Sequence, residues 1–116
     1  MNYLLMIYQN EAEVDGLNES AVKTLHADYM AYTQSIVQSG NFKAGDALQR
    51  TSAATTVRVR NGKTLTTDGP FAETREQLAG YYLVEAKDLD QAITLAARIP
   101  SAKFGSIEVR PIRVFT

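Results

Sequence analysis

The first apolar segment of the chain alternates in a way that predicts a β-strand from Asn2 to Gln9. One set of alternating side chains is Tyr3, Leu5 and Ile7, and the other set is Leu4, Met6 and Tyr8. Successive side chains of a strand point to opposite faces of its sheet, so both faces of this strand are apolar. A strand of this kind is typical of a sheet that is covered on both sides.

A change of period from two to three or four residues predicts a long helix after the polar connection NEAEVDGLNES. Asn18 or Ser20 is suited to cap its first turn, and Gly40 is suited to end it. The apolar stripe of this helix consists of Val22, Leu25, Tyr29, Tyr32 and Ile36.

Further elements follow from the same reasoning. A weaker strand over Phe42–Gln49 is interrupted by Gly45, and a capping-box pattern at 74–77 indicates a short helical segment. Gly80–Ala86 and Ser106–Phe115 are predicted strands, the second with Pro111 as the mark of an edge or bulge. Between them, Asp88 or Asp90 caps a helix that runs to Ile99, with apolar positions Leu89, Ala92, Ile93, Ala96, Ala97 and Ile99.

The segment TTVRVRNGKTLTTD predicts a β-hairpin whose two-residue turn is Asn61-Gly62. That turn fixes the register, so that Val59 faces Thr64, Val57 faces Thr66 and Thr55 faces Asp68. Asp68 is therefore expected at the base of the hairpin.

Strand and helix alternate in the order β-α-β-hairpin-β-α-β within one domain, residues 1–116. Right-handed crossovers convert this order into an α+β, ferredoxin-like βαββαβ sheet with an inserted hairpin and two helices on one face. The remaining face of the sheet is apolar, which predicts a homodimer packed sheet to sheet as a dimeric α/β barrel.

Composition and charge exclude several classes of function. A net charge of −1 offers no field for nucleic acid or a membrane surface, and the absence of cysteine agrees with a cytoplasmic protein. The N-terminus lacks the basic segment of a signal peptide, and no apolar run has the length of a membrane span. One histidine and no cysteine argue against a zinc site, and no phosphate-binding glycine motif or serine-hydrolase elbow is present. We therefore expect no metal and no cofactor.

The central segment from TTVRVRNG through TDGPFAET to AARIP, together with YLLMIYQNE and LHADYMAY, resembles the DGPF subgroup of the YCII-related proteins. The resemblance covers nearly the whole chain. It implies a dimeric α/β barrel built from ferredoxin-like subunits, with a paired His and Asp in a cleft. In this sequence those positions are His26 and Asp68. Some genes of the subgroup lie beside genes of extracytoplasmic-function sigma factors, which implies a regulatory setting.

His26 and Asp68 are the candidate catalytic residues. A neutral imidazole is a suitable general base near pH 7, and a neighbouring carboxylate orients it. The alternative for His26 is a solvated or packed helix residue, and the alternatives for Asp68 are an Asx-turn or a backbone cap.

The candidate substrate-binding residues lie around this pair. Gly69, Pro70 and Phe71 fix the path of the chain beyond Asp68. Tyrosines can line a pocket or simply fill sheet and interface surfaces, and Arg58 can hold an anionic group or remain solvated. The complete set is Tyr8, Arg58, Gly69, Pro70, Phe71 and Tyr81, with Tyr29 and Tyr82 as further pocket tyrosines.

These features predict a cofactor-free acid-base enzyme of isomerase or lyase type that acts on a small organic molecule near a dimer interface. The alternative is a non-catalytic, dimeric ligand-binding or accessory module linked to sigma-factor regulation.

Overall fold

The computed structural model describes residues 1–116 and contains six strands and three helices. None of the helices combines the length and the apolar character that crossing a membrane requires. Two 3₁₀ turns, Thr51–Ala53 and Pro100–Lys103, complete the chain. The strands are β1 (Asn2–Gln9), β2 (Phe42–Ala47), β3 (Thr55–Arg60), β4 (Lys63–Asp68), β5 (Gln77–Glu85) and β6 (Ser106–Pro111), and the helices are α1 (Glu11–Asp15), α2 (Glu19–Gln38) and α3 (Leu89–Ala97).

Four strands form one antiparallel sheet in the order β2-β5-β1-β6, with β1 in its interior. Leu5 of β1 lies opposite Tyr82 on one side and Val109 on the other. The β3–β4 hairpin forms a separate two-stranded sheet. This mixed architecture is compatible with a ferredoxin-like α+β fold.

The hydrophobic core lies between one face of the main sheet and the two longer helices. From β1 it contains Tyr3, Leu5 and Ile7, all at most 5 % exposed. The Tyr32 ring of α2 packs edge-on against Tyr82 of β5 at 5.3 Å between ring centres, and the Tyr32 hydroxyl donates to the Leu95 carbonyl of α3. Both helices are thus fixed to the sheet and to each other.

The opposite face of the main sheet, here called the open face, has no helix over it. Leu4, Met6 and Tyr8 of β1 lie on this face and are partly buried by their neighbours. Leu4 lies opposite Leu83, and Met6 lies opposite Tyr81. The apolar second set of β1 therefore forms a continuous surface with β5 that no helix of the chain covers, and its cover by a second subunit stays a prediction.

The helix ends follow local chemistry. The Asn18 side chain accepts a hydrogen bond from the Ala21 N–H at 2.8 Å, which selects Asn18 over Ser20 as the cap of α2. Asp88 caps α3 in the same way through Gln91. Gly40 follows α2 with φ of +82°, a conformation that glycine adopts without a steric cost.

Four details of the predicted elements were wrong, in addition to strand and helix ends that differ by about one to three residues. The polar connection contains the short helix α1, which Asn10 caps through the Glu13 N–H. Residues 74–77 form no helix, because their side chains bond locally to the backbone and β5 already begins at Gln77. The last strand ends at Pro111 rather than Phe115, and it is an edge strand of the sheet.

The fourth error concerns the buried face of α3. Leu89 and Ile93 are half exposed, whereas Leu95, which the predicted stripe omitted, is only 5 % exposed. The buried residues Ala92, Leu95, Ala96 and Ile99 share one face of the helix. The small alanines on that face let the helix approach the sheet closely.

The hairpin has the predicted register, with Val57 opposite Thr66 and Thr55 opposite Asp68. Its turn residues, Asn61 and Gly62, have φ values of +53° and +76°, as a tight two-residue turn requires. The hairpin projects from the domain, and almost all of its side chains are exposed. The radius of gyration is 16.2 Å, compared with roughly 13 Å for a compact chain of this length.

Candidate functional site: a cleft between α2 and the sheet

A cleft of about 450 Å³ opens between α2 and the β2 side of the main sheet. One wall is α2, from which Val22, Leu25, His26, Tyr29 and Thr33 face the cleft. These positions recur every three or four residues, so they form one continuous stripe of the helix. The other wall is formed by residues of β1, β2 and β5, among them Ile7, Gln9, Phe42 and Tyr82. The cleft is lined mainly by hydrophobic side chains.

Two glycines give the sheet wall its shape. A Cβ atom at Gly45 would lie 2.7 Å from Cδ1 of Tyr82, so the absence of a side chain lets the Tyr82 ring lie across β2. A Cβ atom at Gly80 would lie 2.8 Å from the Asp46 carbonyl oxygen of the adjacent strand. Gly45, which interrupted the predicted strand, is therefore a close-packing position beside the cleft.

A hydrogen bond joins the helix wall to the sheet wall. The hydroxyl oxygens of Thr33 and Tyr82 are 2.6 Å apart. Only one of their two hydroxyl hydrogens lies between the two oxygens, so this pair keeps one further donor for another molecule. Burial raises the pKa of Tyr82, and its phenol is therefore neutral near pH 7.

A second polar chain runs from Tyr29 into the domain. The buried Ser101 hydroxyl donates to Oε1 of Gln9 at 3.0 Å and lies 2.6 Å from the Tyr29 hydroxyl. Because Ser101 has a single hydroxyl hydrogen and gives it to Gln9, Tyr29 must donate to Ser101. Burial is the main reason that the pKa of Tyr29 is raised. The Tyr29 oxygen therefore presents only lone pairs to the cleft.

His26 lies at the mouth of the cleft on the exposed side of α2. No hydrogen bond or ion pair within the chain orients its ring. Its neighbours Tyr29 and Thr33, three and seven residues further on, lie on the same stripe. The imidazole is thus accessible both to solvent and to a small molecule in the cleft.

The chain does not bring Asp68 to His26. Asp68 is exposed at the end of β4, and neither it nor Arg58 lines the cleft. Pro70 and Phe71 are also exposed, with 80 % of Phe71 accessible, so within one chain Phe71 occupies no apolar pocket. Gly69 anchors the base of the hairpin, because its N–H donates to the Ala54 carbonyl at 2.7 Å.

The two tyrosines among the predicted substrate-binding residues, Tyr8 and Tyr81, stand in different positions relative to the cleft. Tyr81 is among the residues that border the cleft, but it lies opposite Met6, so its side chain is on the open face. Its hydroxyl donates to Asp46 at 2.7 Å, a bond that raises the pKa of Tyr81. Tyr8 lies on the open face, on the other side of the sheet from the cleft. Of the predicted catalytic and substrate-binding residues, His26 therefore presents its side chain to the cleft, whereas Tyr81 only borders it.

Sequence reasoning missed Thr33, Phe42, Gln9 and Ser101. Thr33 had a usable signal, because it lies on the same helical stripe as His26 and Tyr29. Ser101 had none, since its bonds to Gln9 and Tyr29 join parts of the chain that are far apart in sequence.

No three or more His, Asp or Glu side chains are grouped in a way that could hold a metal ion.

Comparison with known proteins agrees with the extent of the fold. The sequence model of the YCII-related domain family matches residues 1–116, which is the whole chain. A protein of Rhizobium meliloti (strain 1021), described as uncharacterized, is 34% identical over 117 residues, a match that covers 99% of this chain and 94% of the relative. The similarity extends over the cleft, the hairpin and the helices alike.

Proposed function

Since the chain belongs to the YCII-related family, we propose that it is a cofactor-free enzyme that binds a small organic molecule in the cleft and uses His26 as its acid and base. The observation that carries the proposal is the position of the only histidine at the mouth of an apolar cleft. An imidazole suits proton transfer near neutral pH, and the apolar walls would hold the substrate against it. Proton abstraction followed by isomerisation or elimination is the reaction class that a single acid-base group supports.

The proposal extends to a homodimer in the form of a dimeric α/β barrel. The open face supports it, because Leu4, Met6 and Leu83 form an apolar surface that no helix of the chain covers. The hairpin supports it as well: Val57 and Val59 are about 60 % exposed on the same hairpin face as Asp68. Light scattering during gel filtration at micromolar concentration tests this, and a monomer would contradict it.

Asp68 is proposed to orient His26 within that dimer. The sequence Asp68-Gly69-Pro70-Phe71 also supports placing the chain in the DGPF subgroup. A structure of the dimer that leaves the carboxylate more than about 7 Å from the imidazole in every pairing of subunits would exclude direct orientation.

The acid-base role can be tested without knowledge of the natural substrate. A base that removes a proton beside a carbonyl group in D₂O returns a deuteron to the same carbon, so NMR records the exchange. We expect the protein to accelerate exchange in one of a panel of cyclic ketones such as 2-tetralone. His26→Gln should lower that rate at least about 100-fold, because general acid-base catalysis contributes a factor of this size or more.

Ser20→Ala is the matched control, since Ser20 is exposed on the same helix and lies outside the cleft. It should exchange protons at the wild-type rate. Exchange that survives in His26→Gln would show that the imidazole is not the base.

A non-catalytic ligand-binding or accessory module, tied to sigma-factor regulation, is the second candidate. The observation that favours it is the exposed His26 ring, which has no orienting partner within the chain. In that case no ketone of the panel exchanges, and His26→Gln binds ligands in the cleft as well as the wild type does.

A further inference from the structure

The side chains that face the cleft carry no formal positive charge apart from what His26 can acquire. Neither lysine nor arginine is among the fifteen lining residues. The one acidic residue among them, Asp46, lies opposite Tyr81 in the strand register, and its carboxylate accepts the Tyr81 hydroxyl on the open face. An anionic group inside the cleft would therefore lose its hydration without gaining a permanent counter-charge, which is costly.

The polar groups that do face the cleft are neutral and differ in kind. The Thr33–Tyr82 hydroxyl pair retains one donor, because the two oxygens share only one of their hydrogens. The Tyr29 oxygen offers only lone pairs, because its hydrogen is given to Ser101. A ligand that matches both sites carries a hydroxyl group, which accepts from one and donates to the other, or separate acceptor and donor groups.

The walls around these groups are aromatic. Phe42 and Tyr82 meet edge to face at 6.4 Å between ring centres, and Tyr29 faces the same cleft from α2. Aromatic faces favour a flat apolar partner. A volume of about 450 Å³ is at the smaller end of small-molecule pockets, which span roughly 300–1,000 Å³.

We infer that the ligand of this cleft is an uncharged, flat, largely apolar molecule that carries a hydroxyl group or separate donor and acceptor groups, and that carboxylates and phosphates are rejected. The inference rests on the proposed function, since it names the ligand class of the same site. It also places Arg58 outside ligand recognition, because Arg58 does not line the cleft and lies on the hairpin face opposite to that of Asp68.

The test compares two probes with the same ring system, 2-naphthol and 2-naphthoate, at pH 7. Both are titrated into uniformly ¹⁵N-labelled protein, and the amide resonances of Leu25, Thr33, Gly45 and Gly80 report binding in the cleft. We expect 2-naphthol to bind at least about tenfold more tightly than 2-naphthoate, since only the anion loses the hydration of a charge without gaining a counter-charge.

A charge introduced into the cleft should abolish or reverse this preference. Leu25→Arg places a guanidinium on the helix wall and should strengthen 2-naphthoate binding at least about tenfold. Val37→Arg is the matched control, because Val37 is an exposed residue of the same helix that does not line the cleft. It adds the same charge and should leave the order of the two probes unchanged.

Tighter or equal binding of 2-naphthoate at the wild-type cleft would overturn the inference and leave the proposed function standing. Failure of both probes to shift the cleft resonances at millimolar concentration would also overturn it. Ketone proton exchange that continues at the wild-type rate in His26→Gln is a separate outcome. It would refute the acid-base proposal and leave the inferred ligand class intact.

Discussion

Gly45→Ala is a sharp test of the cleft geometry, because it adds a single methyl group where the sheet wall meets Tyr82. The new Cβ atom would lie 2.7 Å from Cδ1 of Tyr82, 3.1 Å from Cε1 and 3.2 Å from the Tyr81 carbonyl oxygen. The Tyr82 ring is only 8 % exposed and is packed against Tyr32 and Phe42. It therefore has little room to retreat.

The expected cost follows from these contacts. Overpacking a core position costs about 1–3 kcal/mol, and displacement of the Tyr82 hydroxyl from Thr33 costs about 0.5–1.5 kcal/mol more. Gly→Ala changes at unstrained positions stabilise by about 0.4–1 kcal/mol through the unfolded chain. The net expectation is a loss of about 0.5–4 kcal/mol in the free energy of unfolding, with Tm falling by roughly 4 °C for each kcal/mol.

Urea unfolding followed by circular dichroism measures this cost. Gly16→Ala is the matched control: Gly16 has ordinary helical φ and ψ, and its new Cβ atom would meet nothing closer than 3.4 Å. It should be neutral or slightly stabilising. In a Tyr82→Ala background the cost of Gly45→Ala should largely disappear, which a double-mutant cycle detects. Equal stability of the Gly45→Ala and Gly16→Ala proteins, or an unchanged cost without the ring, would refute this account of the cleft wall.

Three further predictions concern the elements that support the site. Ile36→Ala should lower the free energy of unfolding by about 2–5 kcal/mol in urea titrations, because Ile36 is a fully buried core residue of α2; a loss below about 1 kcal/mol would contradict that packing. Asn18→Ala should cost about 0.5–2 kcal/mol and Ser20→Ala much less, because only Asn18 accepts the Ala21 N–H; equal thermal stability would refute the cap assignment. Hydrogen bonds from Thr51 lower the pKa of Glu11 in the folded protein. The stability that these bonds give is therefore present above the ordinary glutamate pKa, and it is lost as the pH falls through the lowered pKa of Glu11. Thr51→Val should flatten the pH dependence of unfolding between about pH 5 and 3, and an unchanged profile would contradict the linkage.

Local chemistry made much of this fold predictable. The Asn61-Gly62 turn admits one register, so the pairing of Thr55 with Asp68 followed from the sequence. The N-caps Asn18 and Asp88 act within three residues of themselves, and their helices were predicted close to their true starts. The alternation of β1 also assigned Tyr3, Leu5 and Ile7 to one face, which is the buried one.

Positions that depend on packing between distant segments were less predictable. Two stripes of α3 are apolar, and contact with the sheet chooses the one with Leu95 over the one with Ile93. Residues 74–77 carry a helix-start pattern, yet pairing of β5 with β1 and β2 extends a strand to Gln77. Propensity is a weak preference that such pairing outweighs.

The same division holds for the candidate site. The sequence supplied His26, the residue type suited to acid-base chemistry, and a helical stripe that pointed it toward a cleft. The tertiary structure supplied that cleft's walls, because Phe42, Gly45 and Tyr82 meet α2 only when β2 and β5 pair beside it. It also separated Asp68 from His26 within one chain, since the hairpin projects away from the domain. Short-range bonds can be read along a chain, whereas a cavity exists only where segments far apart in sequence come together.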